Sequence, residues 1–221
     1  MGVIVRLKTA LLGLTASAII ASLVLAGSEI KVDLIRNGIG VAPSGDFQLG
    51  QTGGGPDGKW AVVRDAEARQ GAAIEQYSTD PHEGRMPLAI YQGGSFKNVV
   101  ATVRFKLLES TTKSAGIAVR LFTAGDYYVA VANALEGRVD LFRFIDGRGT
   151  RIAGAEAAVF KRRWQTLELA ANESRFTVSL DGTPLFDAYD GALLKEGQIA
   201  LWTEEDNVTR FDDFTIVPLG Q

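Results

Sequence analysis

The chain has 221 residues, with 23 Lys and Arg against 26 Asp and Glu, a formal charge of −3 and no cysteine. Charges of both signs are interspersed, which leaves no basic stripe to neutralise phosphates and excludes nucleic acid as a partner. Without cysteine there is no disulfide, thiolate metal site, cysteine nucleophile or lipid-modified cysteine, and a core of this size holds together without crosslinks.

Residues 1–27 stand apart. Arg6 and Lys8 precede an uncharged run from Thr9 to Gly27, and Val24 and Ala26 form a small-residue cleavage signal. This is the layout of a secretory signal peptide, helical from about residue 10 to 26. The other reading is an uncleaved anchor, because the run is just long enough to cross a bilayer. Either way the rest is expected outside the cytoplasmic membrane, periplasmic or secreted in a bacterium, touching membrane only through residues 1–27.

Residues 28–58 are dense in Gly and Pro and read as an irregular segment wrapping from one sheet edge to another, with IKVDLI as a possible first strand. The run Gly53-Gly54-Gly55 is not a phosphate loop, since no Lys-Ser/Thr and no helix follow. From residue 59 to 221 the pattern is β throughout. WAVVRDA and AAIEQYS make a strand pair, the polar loop TDPHEGRM leads to PLAIY, and FKNVVATVRFKLLES is a long alternating strand. In that strand Val99, Ala101, Val103, Phe105 and Leu107 form the core-facing series, opposite Val100, Thr102, Arg104 and Lys106.

Next comes a meander, AGIAVRLF, YYVAVAN and RVDLFRF, punctuated by TAGD and ALEG. Alternation puts Ile117, Val119 and Leu121 inside with Ala118 and Arg120 outside. It puts Val139, Leu141 and Ile145 opposite Arg138, Asp140, Phe142 and Phe144, with Arg143 interrupting the apolar set. After RIAGAEAAVFKRRW, where Ala155–Ala158 reads as a helical turn or a strand edge, come WQTLELAAN, RFTVSLDG and PLFDAYD. GQIALWT and RFDDFTIVPL close the chain. A second short helical piece fits near residue 192.

The order GKWAVVRD, F-x-N-V-x-x-x-V-x-F, AGIAVRLF, DYYVAVAN, W-Q-T-L-E-L, F-T-V-S-L-D-G-T-P-L-F, GQIALWT, RFDDFTI spans residues 58–219. It resembles the concanavalin A-like lectin/glucanase superfamily in its LamG-like branch, and bacterial secreted domains of the 3-keto-disaccharide hydrolase-like kind. The resemblance implies an all-β, two-sheet antiparallel jelly-roll sandwich whose concave sheet forms a carbohydrate groove. It says little about activity, because that superfamily includes lectins, glycosidases and interaction modules. The Glu-x-Asp-x-x-Glu strand of its laminarinase-type glucanases is absent here.

The groove's candidate ligand-binding residues are Arg120, Tyr127, Asn133, Arg138, Arg143, Trp202, Glu204 and His82: planar donors, aromatics and carboxylates of the kind that hold sugar hydroxyls and ring faces. One of Tyr127 and Tyr128 belongs to the core and the other is free to stack. Trp202 faces the groove if Leu201 faces the core. Glu204 and Asp206 are the candidate catalytic carboxylates, able to converge only if the chain runs extended through them, and otherwise part of a solvated turn. His82 is the sole histidine, which argues against a triad or a zinc site. Of Asp212 and Asp213 one should point inward; Asp213 is the candidate metal ligand, and the resemblance allows calcium near this strand. The leading reading is a non-catalytic carbohydrate-binding or envelope-interaction module; the runner-up is a glycoside hydrolase using groove carboxylates, and the third a structural periplasmic subunit with a protein partner.

Overall fold

The C-terminal strands enter the middle of the molecule rather than its edge. The computed structural model describes residues 27–34, 36, 38–108 and 113–220. The expected leader helix lies outside them. The strands are β1 (Ile30–Lys31), β2 (Phe47–Thr52), β3 (Trp60–Arg64), β4 (Ala72–Gln76), β5 (Met86–Tyr91), β6 (Val99–Leu107), β7 (Ser114–Thr123), β8 (Asp126–Asn133), β9 (Arg138–Ile145), β10 (Arg148–Glu156), β11 (Gln165–Asn172), β12 (Arg175–Leu180), β13 (Thr183–Tyr189), β14 (Gln198–Thr203) and β15 (Thr209–Pro218). An eight-stranded sheet runs β13-β12-β11-β6-β15-β4-β3, with β1 also paired to β15. A seven-stranded sheet runs β10-β9-β8-β7-β14-β5-β2. Every pairing between these strands is antiparallel, so the described residues form an all-β two-sheet sandwich.

Between the sheets lies one large core. Val99, Ala101, Val103, Phe105 and Leu107 face it from β6, and Leu167, Leu169, Phe176 and Val178 from β11 and β12. Ile117, Val119, Tyr128, Ala130, Val139, Leu141 and Leu201 meet them from the seven-stranded sheet. The loop reading of residues 28–58 misses β2, although the segment does pass from the eight-stranded sheet at β1 to the edge of the seven-stranded one at β2. Residue 155 lies in β10 and residue 192 in a bend, so neither helical piece forms.

Two bulges change the parity of side chains along their strands. Arg120 has φ 51° and Asp213 φ 51°, both left-handed, and the ladders shift register there. An extra residue on one strand turns the side chains beyond it to the other face. Leu121, expected beside Ile117 and Val119, therefore packs on the outer side of the seven-stranded sheet with Tyr127, Val129 and Trp202. In β15 the bulge lets both Phe211 and Phe214 reach the core while Asp212 and Asp213 stay outside it.

That outer side is bowed. Thr52 on β2 and Tyr127 on β8 are separated by three strands, which in a flat sheet amounts to about 19 Å. Their hydroxyls lie 2.8 Å apart, and Thr52 also donates to the carbonyl of Ala124 in the β7–β8 turn. Only a sheet curled and twisted toward its outer face brings these corners together.

Candidate functional site

Within the bow, strand register lines residues up in rows. One row runs Leu88, Trp202, Gly116, Val131, Asp140, Gly154 across β5, β14, β7, β8, β9 and β10. Two of its glycines are forced by close approach. A methyl at Gly116 would sit 2.8 Å from the carbonyl of Ala130 and 3.1 Å from the Trp202 ring, and one at Gly154 would run into the carboxylate of Asp140. Beside the row is a hollow of about 370 Å³ lined by Met86, Val131, Phe142, Phe144 and Trp202 on its floor and by Asn133, Glu136, Asp140 and Glu204 around it. The volume is at the small end of ligand sites.

Asp140 is the best-held group in the hollow. Arg138 Nε reaches its Oδ2 at 2.7 Å and Arg151 Nε its Oδ1 at 2.7 Å, so both oxygens accept charge-assisted hydrogen bonds. Asn133 Oδ1 accepts from the amides of Leu135 and Glu136, which fixes the turn carrying Glu136. Glu204 is largely desolvated. That burial, reinforced by the neighbouring charges of Glu205 and Glu136, raises its carboxyl above the ordinary 4.5.

Aromatic packing sets the floor. Trp202 faces the bow, opposite Leu201, but only 2% of it is exposed, and its Nε1 donates to Tyr127 Oη at 3.2 Å. Tyr127 lies beneath Phe144, ring centroids 4.8 Å apart and nearly parallel, and is wholly buried. Burial, only partly offset by bonds with Thr52 and Trp202, pushes its phenol up to about 12. Tyr127 thus supports the floor and is not a stacking platform. The half-buried Phe142 is the ring that a ligand can reach.

Four of the sequence candidates are therefore in or at this hollow: Asn133, Trp202 and Glu204 line it, and Arg138 holds Asp140 at its wall. Others are elsewhere, for physical reasons. The bulge turns Arg120 inward, where it is 1% exposed and donates to the carbonyls of Lys97 (2.7 Å), Leu193 (3.0 Å) and Glu173 (2.5 Å) over the Phe176 ring. Arg143 shares the inner face with Tyr128, and both bond to Asp190. His82 is exposed in its loop and packs on Gly54 and Gly55. β14 ends at Thr203 and a turn with Glu205 at φ 49° follows, so Asp206 is buried away from Glu204 and the two do not share the hollow. Asp213 pairs with Arg69 at 3.0 Å, and Asp212 accepts from Arg104 and the Arg69 amide, each at 2.7 Å. Among the described residues no three His, Cys, Asp or Glu side chains gather as a metal site.

Sequence reasoning left out Asp140, Arg151, Phe142, Met86 and Glu136 as site residues. The signal for the first three was present. Alternation had already set Asp140 and Phe142 on the face opposite Val139 and Leu141. The dipeptide Asp146-Gly147, with φ of 50° and 74°, marks a tight hairpin. It brings Arg151 opposite Phe142 and within reach of Asp140.

No curated protein matches the chain. Among solved structures it is similar to the carbohydrate-binding module CBM66 from Bacillus subtilis, at 19% identity over 78% of this chain and 96% of that one, with a TM-score of 0.62. A Bacillus subtilis protein with a galectin-like fold is similar at 11% identity over 90% and 99%, TM-score 0.63. The cellulose induced protein Cip1 is similar at 10% over 85% and 96%, TM-score 0.63. At such identities these likenesses establish a lectin-like sandwich and nothing finer. The model of the galactocerebrosidase C-terminal lectin domain matches residues 82–219, more than half of the chain and all of the hollow's lining, and the chain belongs to that family.

Proposed function

We propose that this chain is a carbohydrate-binding module that takes a saccharide in the bowed hollow and does not cleave it. The observation that carries the reading is the hollow's composition: an apolar floor with one reachable ring, Phe142, rimmed by Asn133, Asp140, Glu136 and Glu204. Sugars present an apolar face and a hydroxyl edge, and such a site answers both. Fixed carboxylate and guanidinium groups need no reorganisation to accept or donate to hydroxyls, which favours affinity. The carbohydrate-binding module from Bacillus subtilis shares the fold and so supports the class of ligand. The leader-like residues 1–27 support export to the periplasm or the cell exterior, with an envelope or secreted glycan as partner.

Asp140 stands against catalysis. Glycosidases need two carboxyl groups free to face the scissile bond. Each Asp140 oxygen already accepts an arginine hydrogen bond, which holds the carboxylate in place as an acceptor for hydroxyls rather than as a nucleophile free to approach a scissile bond. An enzyme is favoured instead by two further carboxylates in the same hollow, Glu136 and Glu204, the second with its carboxyl raised by burial as suits a general acid. A glycan array of neutral oligosaccharides and polysaccharides, run with the full chain and with Phe142→Ala, tests both. The expected result is binding that weakens about tenfold in the variant, the loss of one stacking contact. Equal binding by both proteins would sink the hollow as the site. Release of cleaved sugar that stops in Glu204→Gln would establish the enzyme.

A further inference from the structure

We propose a second saccharide subsite at the other end of β14, built around the exposed ring of Phe122. It rests on the first hollow's reading only for the class of ligand. The lining there comes from Ser95, Lys97, Leu121, Phe122, Lys195 and Gln198, around an open hollow of about 710 Å³. Phe122 is 65% exposed, and Lys195 Nζ stands 5.5 Å from the ring centroid.

Such a ring is not the accident of a loose loop. Behind each hollow stands a wholly buried arginine whose hydrogen bonds, among the described residues, go to neutral acceptors. Arg85, behind the first, donates to Pro56 O (2.6 Å), Glu205 O (2.5 Å), Asp80 O (3.4 Å) and Ser78 Oγ (2.8 Å), tying together the loops that carry Gly84, Met86 and Glu204. Arg120, behind the second, clamps the carbonyls of Lys97, Leu193 and Glu173, the first two in segments that line it. Gly197 lets β14 start directly against the Arg120 bulge, where any side chain would meet the backbone of Arg120 and Leu121. Burying a guanidinium is costly unless its donors are satisfied. Here it fixes three chain segments, two of which line the hollow. Rigid loops around an exposed ring are the arrangement of a binding surface.

The composition selects the ligand. One apolar ring is flanked by a hydroxyl (Ser95), a carboxamide (Gln198), an ammonium (Lys195) and a carboxylate (Glu196). Lys97 is neutralised by Glu173 at 2.8 Å. With Lys97 paired, the lining keeps one cation, Lys195, and one anion, Glu196, so donors and acceptors are balanced at no net charge, which fits an uncharged polyhydroxylated ring better than a phosphate or an apolar peptide. The two hollows lie toward opposite ends of the same strand, Gln198 in one and Trp202 in the other, about 14 Å apart along it. A polysaccharide able to engage both gains by effective concentration.

The test uses the full chain in detergent micelles, with neutral galactan, fructan and xylan as probes, and reads hydrogen–deuterium exchange together with affinity. Protection at 121–127 and 192–198, separate from protection at 131–149 and 202–206, is the expected result. Phe122→Ala should remove the first set alone and lower polysaccharide affinity about five- to tenfold, and Phe122→Trp should restore it. Protection confined to 131–149 and 202–206 would overturn the second subsite and leave the first intact. Protection confined to 121–127 and 192–198 would support the subsite while removing the reading of the first hollow. No protection with any probe would overturn both.

Discussion

Glu204 and Arg120 show how one residue's surroundings decide its use. Glu204 has a folded pKa above its unfolded 4.5, so the folded state binds the proton more tightly. Its contribution is therefore most favourable below pH 4.5 and declines as pH rises through the raised value. Glu204→Gln should unfold at higher denaturant than the parent near neutral pH, and the gap should close in acid. A gap that stayed constant with pH would show that Glu204 is not desolvated. Arg120 behaves oppositely. Burial lowers its pKa, but its guanidinium satisfies three backbone carbonyls, bonds that its removal would leave unmade. Arg120→Met should lose about 3–5 kcal/mol in chemical denaturation, since buried acceptors left unmade are costly. Affinity at the first hollow should persist in the folded fraction. Arg120 read as a groove residue because alternation assumes an unbroken strand. A bulge with a non-glycine residue at φ 51° has no marker in AGIAVRLF.

At the scale of elements, the legible part was whatever repeats with period two. The core faces of β6, β11, β12 and β9 come from alternation, because a half-buried strand writes its orientation into every second residue; alternation set Trp202 opposite Leu201 but not which of the two faces outward. The illegible part depends on pairing between distant strands. FQLGQT becomes β2 because β5 offers it an edge, and Arg151 meets Asp140 because a hairpin register puts it there. Gly154 records that register: with Asp140 directly opposite, no side chain fits. Gly154→Ala is expected to part Asp140 from Arg151 and to weaken saccharide binding about tenfold, with a melting temperature lowered by a few degrees. Unchanged binding would remove Asp140 from the site. Sequence distance matters in the same way for β14 and β15, which lie between β7 and β5 and between β6 and β4. Neither sheet is continuous until the last strands are in place.

The whole molecule divides its charges between two faces. The outer side of the seven-stranded sheet is bowed and offers polar groups to a ligand, whereas that of the eight-stranded sheet spends its charges on itself. There Asp65, with a side chain 3% exposed, takes Lys106 Nζ at 2.5 Å and Arg210 Nη1 at 2.9 Å, and Arg210 Nε also reaches Glu75 at 2.6 Å. Arg104 pairs with Asp212 on the same face, and Trp164 lies against both Arg104 and Lys106. This network joins β4, β6 and β15 across the sheet's middle. Burial alone would raise the Asp65 carboxyl; hydrogen bonds from Lys106, Arg210 and the Glu67 amide outweigh it and hold the group at about 2, against an ordinary 3.8. A depressed folded pKa contributes stability above the unfolded value and loses it as pH falls through the folded one. The window is therefore from 3.8 down to about 2, and the contribution is about 2 kcal/mol. Asp65→Asn should be less stable than the parent at neutral pH, and the two should converge as pH falls toward 2. Denaturation curves across that range decide it. A difference independent of pH would mean that Asp65 acts by shape and hydrogen bonding alone, and that the back of the sandwich is not held by its charge.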